Sequence, residues 1–235
     1  MIIVLFAFAN SGLQARVELG SDMLEVLKFE PLRGKRVGLL TNPSGINSRG
    51  VSTIQLLHRA PEVNLVALFG AEHGLDGKAS AGKEVRDGTD QVTGLPVFSL
   101  YGPGPIRKPT EAMLRRIDIL VYDLQDTGAR SYTFISSMGM AMNACGKAGV
   151  EFMVLDRPNP LGGIRVEGPL FNPRFRSMVG QWPIPYVYGM TCGELARLLN
   201  KEGMIEHPCV LYIVPMRGWK RDMVWRDTGL SWKPT

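Results

Sequence analysis

Residues 64–74 read Asn-Leu-Val-Ala-Leu-Phe-Gly-Ala-Glu-His-Gly (NLVALFGAEHG), and the fold class turns on them. Asn64 to Phe69 is a short apolar run without polar alternation, which is how a parallel strand covered on both faces reads. Directly after it come a carboxylate and an imidazole, Glu72 and His73, set between Gly70 and Gly74. The same succession recurs outward in both directions. Arg36 to Leu40 (RVGLL) runs into Thr41-Asn42-Pro43-Ser44-Gly45, and Val97 to Leu100 runs into Tyr101-Gly102. Ile119 to Tyr122 (ILVY) runs into Asp123-Leu124-Gln125-Asp126-Thr127-Gly128-Ala129-Arg130. Phe152 to Leu155 (FMVL) runs into Asp156-Arg157-Pro158-Asn159-Pro160, and Val210 to Val214 reads as a last strand.

Between these runs lie segments of helical spacing. Leu19 to Phe29 has apolar residues at helical intervals, with Ser21 and Asp22 as candidate caps. Ser52 to Arg59 suits a helix, and Thr110 caps one through Ile117, with Glu111 in the first turn where the helix dipole favours it. Phe134 to Ala148 is a helix ended by Gly149. Thr191 to Lys201 carries a capping box, Thr191 with Glu194, and is closed by Gly203. Strands alternating with helices predict βαβ units in an α/β fold, with a mostly parallel sheet covered by helices on both faces. Residues 36–40, 64–69, 119–122 and 152–155 are expected as parallel neighbours in one sheet.

The 235 residues are 45% hydrophobic and 21% charged, enough for a core and incompatible with wholesale disorder. The net charge of +5 favours acidic partners, but the 27 basic and 22 acidic residues are interspersed, which speaks against nucleic acid. Cys145, Cys192 and Cys209 form no CxxC pair, so neither a zinc site nor a disulfide framework is expected. Ile2 to Ala9 (IIVLFAFA) is an unbroken apolar run, too short for the roughly 20 residues of a bilayer span. It has the length of a signal-peptide apolar region, with a plausible cut after Ala15, and the alternative is a first buried strand. The domain reading is a signal-like segment, 1–15, and a catalytic domain from 16 onward. An exported protein without an integral membrane span is expected.

In open α/β sheets ligands sit beyond the carboxyl ends of the strands. Polar, titratable and Gly/Pro residues collect at that edge here, whereas the opposite loops are plain turns. Asn42, Glu72, Asp123, Asp126, Arg130 and Asn159 are therefore expected to line one concavity. Alternatives stay open for each. Glu72 and His73 read equally as a turn with solvated side chains, and Asp123 and Asp126 as caps of the helix that follows. Arg130 either pairs with Asp126, four residues back, or clamps a substrate carboxylate. Residues 156–160 form a rigid turn or part of the site. Neither GxGxxG nor GxxxxGK[ST] occurs, and Gly102-Pro103-Gly104-Pro105 lacks the N–H groups of a phosphate loop. GxSxG and HExxH are absent too. A carboxylate-rich cleft with no cofactor and no metal remains, which fits acid/base hydrolysis of a glycosidic bond.

At these residues the chain resembles the NamZ exo-β-N-acetylmuramidase family. The resemblance is carried by KRVGLLTNPSG (35–45), LFGAEHGLDG (68–77), GLPVFSLYG (94–102), YDLQDTGARSYTFISSMGMAM (122–142), VLDRPNPLGG (154–163), VEGPL (166–170), YGMTCGELARLLN (188–200) and VPMRGWKRDM (214–223). It implies a Rossmann-like catalytic domain followed by a smaller auxiliary domain, with the active site in the cleft between them. It also implies release of terminal N-acetylmuramic acid from the non-reducing end of peptidoglycan fragments. The family pattern continues past residues 230–235, so residues 16–235 are expected to run into only the start of the auxiliary domain. The family's glutamate falls on Glu72, the expected general acid, whose pKa a closed cleft would have to raise. Asp123 or Asp126 is the expected second carboxylate. Arg130, Arg157 or a nearby Lys is expected on the lactyl carboxylate of muramic acid. Thr41, Asn42, His73, Gln125 and Asn159 complete the expected substrate contacts. The competing class is a sugar- or anion-binding module that keeps the cleft without turnover.

Overall fold

A computed structural model describes residues 16–102 and 107–234; the signal-like segment 1–15 lies outside the described residues. Among the described residues seven strands form one sheet: β1 (Arg36–Thr41), β2 (Asn64–Gly70), β3 (Gly88–Thr89), β4 (Pro96–Ser99), β5 (Ile119–Asp123), β6 (Glu151–Leu155) and β7 (Leu211–Val214). Their spatial order is β3-β4-β2-β1-β5-β6-β7, and every pair is parallel except β3 with β4. The four runs expected as parallel neighbours are adjacent, with Leu39 opposite Leu68 on one side and Val121 on the other. Only the two-residue edge strand β3 had no counterpart in the sequence reading. It is too short to show a period of two. Without it the order is that of a doubly wound Rossmann sheet.

Successive residues of each strand feed opposite faces, because strand side chains alternate. On one face Leu39, Leu68, Ile119, Val121 and Met153 pack under α1 (Gly20–Val26) and α2 (Thr53–Arg59). On the other, Leu40, Phe69, Leu120, Tyr122 and Phe152 pack under α3 (Glu111–Leu114), α4 (Phe134–Ala148) and α5 (Cys192–Lys201). Phe69, Tyr122 and Phe152 are fully buried, and each such side chain contributes on the order of 1.5–3 kcal/mol. Trp182 wedges against α4 and donates its indole N–H to the Ile135 carbonyl at 3.0 Å. Gly139 makes room for it, since a Cβ there would lie 2.2 Å from the indole ring.

The helix ends follow from local chemistry. Thr191 Oγ1 accepts the Glu194 N–H at 3.2 Å and Glu194 returns the bond to the Thr191 N–H at 3.0 Å, closing the expected box. Gly149 ends α4 in the left-handed region at φ 69°. The first helix differs from its expected span of 19–29. Leu19 is the cap position and Asp22 reaches back to its N–H at 2.7 Å, while Ser21 caps nothing. The helix stops at Val26, and Lys28 and Phe29 take positive φ before a short 3-10 turn at Glu30–Leu32. Pro31 in that turn cannot continue an α-helix, which explains the break. The third helix ends at Leu114 rather than at Ile117.

After β1 the chain turns to α2 on one face; after β5, its neighbour, the chain turns to α4 on the other. The two loops part between β1 and β5, and this opens the crevice at the carboxyl edge where doubly wound sheets take their ligands. Residues 156–191, between β6 and α5, hold one short 3-10 turn as their only helix or strand and cross the same edge.

Candidate functional site

Glu72 follows β2 and is half-buried. Its Oε1 accepts the Gly82 N–H at 2.9 Å and its Oε2 accepts the Thr133 hydroxyl at 2.5 Å, at the start of α4. Tyr101 lies beside this group, 3% exposed, with its hydroxyl unpartnered. Burial, and then the nearby Glu72 charge, push the Tyr101 hydroxyl up to about 12. His73 takes the left-handed conformation at φ 69°, and its Nδ1 lies 2.8 Å from the Ala79 carbonyl. A ring nitrogen facing a carbonyl must carry the proton, so Nδ1 is the donor. The His73 and Glu72 bonds curl the loop after β2 back on itself.

The remaining expected residues stand at the same edge, but most of their polar atoms serve neighbouring loops. Thr41 Oγ1 donates to the Asp123 carbonyl at 2.9 Å. Asn42 Oδ1 accepts the Ser44 N–H at 2.8 Å and the Ser44 hydroxyl at 2.6 Å, and Ser44 Oγ accepts the Gln125 N–H at 3.0 Å. Gln125 Nε2 donates to the Asp126 and Pro158 carbonyls at 2.9 and 3.0 Å. Asn159 joins the Met190 carbonyl, through Nδ2, to the Leu161 N–H, through Oδ1.

Asp123 and Arg157 form a buried ion pair, Nε to Oδ1 at 2.5 Å, with side chains 0% and 3% exposed. Thr53 donates to the other Asp123 oxygen, and Arg157 Nη2 donates to the Ile46 carbonyl at 2.7 Å. The pair clamps the loops after β1, β5 and β6 together. Asp126 is also buried; Tyr188 and the Gly128 N–H donate to its Oδ2. Burial outweighs these donors and pushes its pKa up to about 6. Asp156, which accepts from Gly193 N–H and Thr191 Oγ1 at the start of α5, is likewise pushed by burial to about 6. Arg130 is half-buried and does not pair with Asp126. Its Nη1 donates to the Ile184 and Pro169 carbonyls at 2.5 and 3.1 Å, and its guanidinium lies near the Phe171 and Tyr186 rings.

The six residues expected to line one concavity all stand at the carboxyl edge, with most of their polar atoms engaged by neighbouring loops. A cavity of about 320 Å³ does open at the edge, but of the ten expected site residues only Gln125 and Arg157 line it. Thr41, Asn42, Asp123, Asp126 and Asn159 are buried, because long loops carry backbone groups that must be paired, whereas Glu72, His73 and Arg130 stay half-buried. Sequence reasoning missed Ser44, Thr53, Thr133 and Tyr188, each a hydroxyl that completes a carboxylate or amide, and Tyr101, buried beside Glu72. Among the described residues four buried polar atoms of the edge stay without a partner: Asn42 Nδ2, the Tyr101 hydroxyl, Gln125 Oε1 and Asp126 Oδ1. Among the described residues no three His, Cys, Asp or Glu side chains come together to hold a metal.

The strand order and this edge define a doubly wound α/β protein with one half-buried glutamate among hydroxyl groups and an adjoining polar crevice. The family model described as exo-β-N-acetylmuramidase NamZ, N-terminal, matches residues 37–235, and the chain belongs to that family. It is 49% identical over 215 residues to the peptidoglycan β-N-acetylmuramidase NamZ of Bacillus subtilis (strain 168), covering 92% of this chain and 51% of that protein. Two crystal structures of DUF1343 family proteins from Bacteroides fragilis NCTC 9343 share the fold. One has a TM-score of 0.87 at 52% identity, covering 93% of this chain and 55% of that one. The other has 0.76 at 33% identity, covering 89% and 54%. The chain thus spans about half the length of the relatives it matches.

Proposed function

We propose that the chain is the catalytic half of an exo-acting β-N-acetylmuramidase, a glycosidase releasing terminal N-acetylmuramic acid from peptidoglycan fragments, with Glu72 as the general acid. Membership of the family and the 49% identity to a protein named for this activity support the reaction class. The observation that carries the assignment of Glu72 is its setting. It is the carboxylate of the predicted set that stays half-exposed at the carboxyl edge, whereas Asp123 is fully buried and Asp126 is 3% exposed.

The Thr133 hydroxyl at 2.5 Å suits an acid that changes protonation state, because a hydroxyl donates to the carboxylate and accepts from the acid. Gly82 N–H fixes the other oxygen, so the side chain is held in one orientation for proton delivery. No helix of the described residues is long and apolar enough to cross a membrane. The apolar run Ile2–Ala9 fits an export signal that would bring the protein to its cell-wall substrate.

Glu72→Gln keeps shape and hydrogen bonding but cannot deliver a proton. Turnover should fall at least about 10²-fold on a muramyl saccharide with a poor leaving group, and less on an aryl muramide whose phenolate leaves unprotonated. Full activity of Glu72→Gln refutes the assignment. Equal losses on both substrates assign Glu72 to nucleophilic attack or positioning. Binding of a chromogenic muramide without release of the chromophore by the unaltered protein would mark a binding module instead.

A further inference from the structure

The 320 Å³ cavity lies at the switch point between β1 and β5, where the fold favours a ligand. Its walls are Ser44 and residues 46–50 after β1, Gln125 after β5 and Arg157 after β6, with Leu19 ahead of α1 and Trp225 opposite. Glu72 does not line it. Glu72 is tied to Thr133 at α4, on one face of the sheet, whereas the cavity opens toward α1 on the other.

The lining is one-sided in charge. Arg16, Arg49, Arg157 and Lys233 contribute to it, and no Asp or Glu does. Two of these cations are already committed: Arg157 to Asp123, and Arg49 to Glu25, with Asp22 3.8 Å away. Arg16 and Lys233 have no acidic partner among the described residues. A wall with two uncompensated cations attracts an anion.

A second feature asks for a donor. Gln125 is 3% exposed and its Nε2 is held by two carbonyls, but its Oε1 has no partner. A buried amide oxygen left unpaired costs about 1–3 kcal/mol, and a ligand N–H or O–H would recover that. Trp225, edge-on to Trp232 at 5.0 Å, adds aromatic surface. The volume is at the lower end of ligand pockets, room for one sugar ring or a dipeptide.

We propose that this cavity binds a small carboxylic acid that also carries a hydroxyl or amide donor, at a site separate from Glu72. Arg16 and Lys233 hold the carboxylate, Gln125 Oε1 accepts from the donor, and Trp225 covers the apolar part. A muramyl sugar and a free peptide stem both present this chemistry.

Calorimetric titration distinguishes the two sources. N-acetylmuramic acid and an Ala-Glu dipeptide are the two acids; N-acetylglucosamine, the same ring type without a carboxylate, is the control. At least one acid should bind more tightly than the control, with a Kd that rises with salt. The Kd should be the same in Glu72→Gln, so the result does not depend on whether Glu72 is the general acid. In the double variant Arg16→Gln, Lys233→Gln it should rise about tenfold or more, and Arg16→Lys, Lys233→Arg should restore it. Both positions are exposed, and an unchanged unfolding midpoint in the double variant verifies the fold. The proposal is overturned if neither acid binds, if N-acetylglucosamine binds as well as the acids, if the double variant keeps the affinity, or if Glu72→Gln abolishes it.

Discussion

Removing Arg157 tests whether the polar carboxyl edge is held by its buried ion pair. In Arg157→Met, Asp123 keeps only the Thr53 hydroxyl as a side-chain partner in a site with no exposed surface, and Ile46 O loses its donor. Stranding one member of a buried pair costs roughly 3–5 kcal/mol. For a domain of this size that lowers the thermal midpoint by about 6–20 °C. Asp123→Leu strands Arg157 in turn and should cost a similar amount. The double variant has no charge to leave unpaired, so its loss should fall short of the sum of the singles by at least about 2 kcal/mol. Urea unfolding at pH 7, followed by circular dichroism and tryptophan fluorescence, gives all four corners of the cycle. Single variants that each lose less than about 1 kcal/mol, or losses that simply add, refute the ion-pair reading. The milder Asp123→Asn separates structure from catalysis. If Asp123 were instead the second catalytic carboxylate, turnover would collapse in that variant with the midpoint unmoved.

Two further outcomes follow from the same edge. Burial holds the Asp126 pKa at about 6, above its ordinary 3.8, so the folded protein binds this proton more tightly than the unfolded chain. The resulting stability is complete below about pH 4 and is lost as pH rises through 6, and Asp156 acts in the same direction. Asp126→Asn should therefore flatten the fall in unfolding midpoint between about pH 4 and 7; an unchanged slope would count against it. Arg130→Ala frees the Ile184 and Pro169 carbonyls and the two rings beside the guanidinium. Amide exchange across residues 165–187 should accelerate, while binding of N-acetylmuramic acid holds to within about threefold (about 0.6 kcal/mol). A large selective loss of that binding, with exchange unaltered, would return Arg130 to the substrate.

The strands were legible because a parallel strand under helices on both faces must be apolar throughout, and RVGLL, NLVALF, ILVY and FMVL are the short runs that satisfy this. The polar edge was legible as a place but not residue by residue. Asn42, Asp126 and Asn159 have one local explanation that their spacing already contained. Each accepts the N–H two residues on: Ser44 at 2.8 Å, Gly128 at 2.7 Å and Leu161 at 2.9 Å. That is the Asx turn, which Asn and Asp form where a chain leaves a strand and reverses. An Asx residue at a strand end thus has a structural duty before any chemical one, whereas a glutamate is too long for the same ring. Glu72 instead reaches Gly82, ten residues on, and Thr133 from another element. Long-range contacts of that kind leave no local sequence signature, and neither does the pairing of Asp123 with Arg157 across two strands. The side-chain atoms that local turns leave over, Asn42 Nδ2 and Asp126 Oδ1, together with Gln125 Oε1, mark where the edge still has hydrogen-bonding capacity for a ligand.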